Sequence, residues 1–258
     1  MKKLIISISA LAGLFFYTAC SPKKPAVFEQ KTGIYFGAAT DSLTYSFAKF
    51  PKRLSDTLKI PVKVLGDAAS TDKTFSIEAA TGNGITAIEG VHYKLLNPYS
   101  MPAGQLATTI PVVIYRTPGM DTTIFSFKLQ LKASDDFETG MTTKSAYLVK
   151  LAFLQRPANW GTLSGLDWAG HKNEFGTWTK TKYQLILNAL YDPVHDTTVT
   201  EFPYSSSPTQ IPDIARQYLQ IVKNYIRINY PVNNGGTGAS LTDPDANNQL
   251  IQVGPANY

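Results

Sequence analysis

The chain has 258 residues, 43% of them apolar and 17% charged, a balance that excludes a disordered chain and leaves room for one large domain or one with a small companion. Its net charge of +5 is scattered, with no Lys/Arg run interleaved with aromatics, which excludes an electrostatic nucleic-acid binder. A single cysteine excludes an internal disulfide, and no Cys/His cluster has zinc spacing.

Met1, Lys2 and Lys3 form a short basic start. Residues 4–17 follow as an uncharged, mostly apolar run, short of the roughly 20 residues that a spanning helix needs. The run ends at Thr18, Ala19 and Cys20. Small residues before a lone cysteine resemble a bacterial lipobox, where the thiol is diacylated before the leader is removed; Tyr17 stands where Leu is usual. Residues 1–19 thus read as a signal peptide and 20–30 as a lipidated tether. The other reading is an ordinary secretory leader with Cys20 incidental. Loss of Lys2 and Lys3 with the leader lowers the net charge from +5 to +3. Each buried methylene contributes about 0.8 kcal/mol, so several acyl chains on Cys20 would hold the protein to a lipid membrane. The tether carries Pro22-Lys23-Lys24-Pro25 and few apolar residues, so it does not pack. Surface-displayed lipoproteins often carry an acidic cluster there, and its absence leaves the membrane side open.

Residues 31–155 alternate with a period of two. The clearest stretches are 57–65 (Leu58, Ile60, Val62, Val64), 73–79, 106–116 (Ile110, Val112, Ile114), 124–131 (Phe125, Phe127, Leu129, Leu131) and 146–154. Weaker ones lie at 33–38, 43–48 and 91–95. About eight short strands parted by Gly, Pro and Asn turns predict an antiparallel β-sandwich. Pro61 and Pro111 fall inside two strong strands and are expected at edges or bulges, because proline cannot donate to a ladder.

Residues 156–258 are of mixed character. The stretch 156–177 reads as a linking loop, and 178–190 as a helix with Tyr183, Ile186, Leu187 and Leu190 on one side, although its YQLIL core also fits a strand. A short strand is expected at 197–202. The strongest helix is 212–228: Ile214, Tyr218, Ile221, Val222 and Tyr225 recur at helical spacing, with Arg216, Lys223 and Arg227 opposite. The tail reads as loop with one strand at 250–253. The fold class is therefore mainly β, a sandwich followed by a smaller α+β segment with one or two helices.

Ala87, Gly90, His92 and Tyr93, between VKVLGDA and MPAGQLATTIPVVIYR, make a block that resembles Calx-beta sandwiches; His92 stands where that pattern has Asp. The lipoprotein leader, this block, PANW (157–160) and GTWTKTKYQLIL (176–187) together resemble an uncharacterised family of Bacteroidota outer-membrane lipoproteins often encoded beside SusC/SusD-type nutrient importers. The resemblance covers most of the chain. It implies a lipid-anchored outer-membrane accessory protein of an uptake system, with no established activity to transfer; the Calx-beta likeness brings to mind calcium as a cofactor.

Three histidines are present: His92, His171 and His195. His171 lies near Asp167 and Glu174, as acid/base work would need, yet no nucleophile or G-x-S-x-G accompanies it. Asp135, Asp136, Glu138, Asp243 and Asp245 are hard-oxygen residues in turns, without EF-hand spacing; solvated loop acids are the plainer reading. Trp160, Trp168 and Trp178 are the only tryptophans. They are candidates for a platform that stacks on sugar rings, or alternatively a seal between sandwich and helices. The residues thus point to a non-enzymatic binding or assembly lipoprotein for glycan or peptide uptake. Rival readings are a structural spacer and a glycan hydrolase with two unidentified carboxylates. On the lipoprotein reading, labelled palmitate enters the wild-type protein and not Cys20→Ala; equal labelling of both would refute it.

Overall fold

The computed structural model describes residues 32–157, 160, 168–170, 173–202 and 213–254, so Cys20, the leader and the tether lie outside the described residues. Alternation of apolar and polar side chains builds two facing sheets. The first has the order β10-β1-β3-β8-β6, from β1 (Gly33–Phe36), β3 (Ser55–Leu65), β6 (Tyr93–Leu95), β8 (Ala107–Tyr115) and β10 (Glu138–Thr139). The second has the order β2-β11-β9-β5, from β2 (Ser42–Ser46), β5 (Ile77–Ala80), β9 (Phe125–Leu131) and β11 (Ala146–Ala152). Pairing is antiparallel except where β10 joins β1 and β2 joins β11. Ile60, Val62, Ile110, Val112 and Ile114 of one sheet, and Phe127, Leu129, Val149 and Leu151 of the other, are buried. Each such side chain contributes roughly 1.5–3 kcal/mol on burial. The sheets meet in aromatic contacts: Tyr93 stacks on Phe127 with centroids 4.0 Å apart, and Phe36 lies 5.6 Å from Tyr147.

Two local features depart from the simple pattern. The stretch expected as one strand at 73–79 breaks at Ser76. β4 (Lys73–Phe75) pairs with β7 (Tyr99–Met101), whereas β5 joins β9 of the second sheet. Asn97 takes the place of a strand partner at the break: its Oδ1 accepts from the Ile77 N–H at 2.9 Å, and its Nδ2 donates to the Ile77 carbonyl at 2.8 Å. The two prolines lie in interior strands, not edge strands, but at points where a neighbour has run out. β1 ends opposite Val62, and the Pro61 carbonyl accepts from Gly37 just past it. β6 ends opposite Val112, and the Pro111 carbonyl accepts from the Tyr99 hydroxyl. In antiparallel pairing a residue's N–H and C=O face the same side, so each proline's missing donor faces a gap in the ladder.

The Gly90–Tyr93 turn explains its composition. Gly90 has φ 81°, a left-handed geometry that glycine adopts without strain. His92 is buried, stacks on Phe125 at 4.1 Å, and its Nδ1 accepts the Ile88 N–H at 2.9 Å.

The second part of the chain shares this core. α1 (Lys180–Ala189) is capped by Thr179, whose hydroxyl accepts from Lys182 N–H at 3.2 Å, and it buries Tyr183, Leu185, Ile186 and Leu187. α2 (Asp213–Asn229) buries Ala215, Leu219, Val222 and Ile226. This face is rotated from the one expected: Ile214 and Ile221 are exposed, and Lys223 is turned inward. Small Ala215 permits close approach there, which the apolar stripe alone does not reveal. The expected strand at 197–202 forms only a bridge between Asp192 and Thr197. The tail forms a ribbon of β12 (Thr242–Asp243) and β13 (Gln249–Leu250). The result is a mainly β sandwich with a small segment holding two α-helices among the described residues.

Burial pushes the His92 pKa below its ordinary 6.5. The folded protein therefore binds fewer protons than the unfolded chain, and stability is lost as pH falls through about 6.5 toward the lower folded value. Thermal midpoints measured from pH 7 to 5 should fall less steeply in His92→Gln than in wild type. Parallel curves would contradict this.

Candidate functional site

The structure separates the three tryptophans. Trp160 is 1% exposed; its Nε1 donates to the Gly176 carbonyl at 2.9 Å, and its ring packs against Phe175, Tyr183 and Phe202 at 5.3–5.9 Å. It presents no face to solvent. Trp168 opens a single 3-10 turn, Trp168–Gly170, and its side chain lies outside the described residues. Trp178 precedes the α1 cap, is half-buried, and lies 6.3 Å from Tyr183. Its Nε1 is closed off from water and has no hydrogen-bond partner among the described residues.

Trp178 lines a groove at the joint between the sandwich and α1. One lobe, about 180 Å³, is bounded by Trp178, Asp121, Thr122, Thr123 and Arg156. A second lobe, about 330 Å³, runs past Gln184 and Asn188 to Tyr230 and Leu241. Both share Asp121, Leu154 and Lys180, so the two lobes adjoin across these side chains. Lys180, Gln184 and Asn188 are four residues apart and so line up along one helix face, over about 12 Å at 1.5 Å per residue. Gln184 Nε2 donates to Asn188 Oδ1 at 2.9 Å, which aligns the two amides.

Asp121 closes the 3-10 turn Pro118–Asp121 on the sandwich side. Its Oδ1 is also closed off from water and has no hydrogen bond among the described residues, only a long ion pair with Arg116 Nη2 at 3.9 Å. Arg116 is held elsewhere: its guanidinium lies 3.4 Å over the Phe153 ring, and Nη1 donates to the Pro51 carbonyl at 2.6 Å. Burial lowers the Arg116 pKa, and the nearby Asp121 charge opposes that shift. A buried donor or acceptor without a hydrogen bond costs about 1–3 kcal/mol, so Trp178 Nε1 and Asp121 Oδ1 are both costly as they stand, and a ligand reaches either one only when the joint opens.

The other sequence candidates sit among ordinary partners, fall outside the described residues or, as with Glu174 Oε2, are buried without a hydrogen bond among the described residues. His171 and Asp167 lie outside the described residues. Glu174 is buried, and desolvation raises its pKa against the pull of Lys223 and Arg216. His195 is exposed beside Asp192 at 2.6 Å; this bond and backbone N–H groups hold the Asp192 carboxyl below its usual range. Asp136 pairs with Lys73 at 2.9 Å, and the Thr179 hydroxyl donates to buried Asp243. Among the described residues no three His, Cys, Asp or Glu side chains gather as metal ligands, and no helix is long and apolar enough to cross a membrane. Asp121 and the Lys180–Gln184–Asn188 row escaped the sequence reading. The spacing of four was a usable signal for the row; nothing local marked Asp121.

A family model described as "Domain of unknown function (DUF4843)" matches residues 24–191, more than half of the chain. The chain belongs to the DUF4843 family. The match spans the sandwich, Asp121, the tryptophans and α1, but not α2. No curated protein matches this DUF4843 chain. Solved structures similar to it include a Bacteroides ovatus protein provisionally named as carbohydrate binding (14% identity, TM-score 0.35, covering 46% of this chain and 36% of that one). Another is a two-domain protein of unknown function from Bacteroides fragilis (16%, TM-score 0.36, 48% and 46%). The chain thus spans less than half the length of either, and at such TM-scores the likeness decides neither ligand nor activity.

Replacing Trp160 with Ala should cost about 3–5 kcal/mol in urea unfolding, the usual loss for a fully buried large aromatic. Trp178→Ala should cost far less, because its ring is part exposed. Equal losses would place Trp178 in the core and remove it from the groove.

Proposed function

We propose that this DUF4843 protein is a lipoprotein of the outer membrane, anchored through acylated Cys20, whose groove captures a glycan segment for a SusC/SusD-type uptake system. The observation that carries the binding role is the groove lined by the half-buried Trp178 and by Asp121, whose Nε1 and Oδ1 have no hydrogen bond among the described residues and meet a ligand when the joint opens. A hydroxyl both donates and accepts, so a hydroxyl-rich ligand satisfies an indole N–H and a carboxylate with the same kind of group. The indole offers a rigid flat surface for a sugar ring, and the Lys180–Gln184–Asn188 row offers mixed donors and acceptors along an extended path.

Hydrolysis fits less well. Glycosidases use two carboxylates about 5–10 Å apart, and Asp121 is the only acid among the described groove residues. Calorimetric titration with a panel of neutral oligosaccharides tests the reading. At least one should bind wild type and bind Trp178→Ala and Asp121→Asn at least tenfold more weakly. No binding across the panel, or unchanged affinity in both variants, would overturn it.

A further inference from the structure

A cleft on the other face of α2 lies wholly outside the residues that the family model matches. It has a volume of about 340 Å³ and is walled by α2, the 3-10 turn Pro231–Asn234 and the segment after β13. Pockets of this size begin to hold small molecules. Ile226, Pro231 and Val253 give it an apolar side. Four amide side chains, Gln220, Asn224, Asn234 and Gln252, face it from three elements. Amides both donate and accept, which suits hydroxyl groups. The only charged residues among the described lining are Lys223 and Arg227, both cationic.

The two cations differ. Arg227 is exposed and has no ion pair among the described residues. Lys223 is buried behind the wall, in space that glycine leaves: a Cβ on Gly254 would come within 2.6 Å of its Nζ. Desolvation lowers the Lys223 pKa, and Glu174 opposes this and offsets part of its charge. Arg227 is therefore the group that meets an anion, with Lys223 adding to the field.

The wall is also prefixed. Asn233 is buried, and its amide donates to the Leu241 and Ile251 carbonyls at 2.8 Å and accepts from Leu241 N–H at 2.9 Å. Gln252 Nε2 donates to the Asn233 carbonyl at 3.0 Å. A wall held this way loses little entropy when a ligand enters.

We propose that this cleft is a second binding site, for a monosaccharide-sized ligand that carries one carboxylate, with Arg227 pairing to the carboxylate and the amides to the hydroxyls. The amides outnumber the cations, which favours a singly charged, hydroxyl-rich ligand over a compact dianion such as phosphate. The site stands on its own observations and not on the groove.

Titration of the detergent-solubilised full chain with glucuronate, glucose and inorganic phosphate tests it. Glucuronate should bind at least tenfold more tightly than glucose, and more tightly than phosphate. Arg227→Gln, an exposed change that leaves the thermal midpoint in place, should erase that preference; Trp178→Ala should preserve it. Absence of a glucuronate preference, or its survival in Arg227→Gln, overturns the proposal. Loss of the preference in Trp178→Ala also overturns it, while leaving the groove as the site.

Discussion

The packing of Trp160 is the interaction on which the rest of the second half depends. Its indole is shared among Phe175, Tyr183 and Phe202, so it ties the loop before α1, α1 itself and the chain beyond α1 together. Its Nε1 bond to Gly176 fixes the chain two residues before Trp178. Tyr183 then touches both tryptophans. The buried tryptophan thus positions the half-exposed one, and the groove has its shape because the core behind it is filled. Of the two roles set out as alternatives for the tryptophans, the sealing one describes Trp160, and the binding one is proposed for Trp178.

Polar contacts at the joint are weaker partners in this. Arg53 meets Asp56 at 3.4 Å and Asp196 at 3.5 Å, linking β3 to the segment after α1, and the Thr198 N–H donates to the Lys49 carbonyl. Exposed ion pairs contribute about 0–1 kcal/mol, whereas burying one large aromatic contributes several times that. The ion pairs therefore select an orientation that the aromatic core already stabilises. Asp121 shows the contrast within one residue. It keeps only a long ion pair with Arg116, at 3.9 Å and without a hydrogen bond, because Arg116 is committed to Phe153 and Pro51.

Much of the sandwich was legible because alternation reports a local fact: which side chains face inward. The pairs at 57–65, 106–116, 124–131 and 146–154 became β3, β8, β9 and β11 with the inward set as read. Sheet membership was not legible, since the break at Ser76 depends on Asn97, about twenty residues away in sequence. Pro61 and Pro111 were read as edge markers; each marks an edge of one neighbouring strand, a property of the ladder and not of its own strand. The α2 face was misread by about one position, because several apolar residues flank Ala215, Leu219, Val222 and Ile226. The candidate site was the least legible part. Trp178 stood out by composition, but an orphaned hydrogen-bonding atom exists only once the surrounding chain has closed over it.

The central claim is that the Trp178 indole N–H waits for a ligand. Indole N–H resonances of ¹⁵N-labelled protein test this directly during titration with an oligosaccharide. The account predicts that the Trp178 signal moves on binding while that of Trp160, already bonded to Gly176, stays in place. Saturable binding that leaves the Trp178 signal unmoved would contradict it.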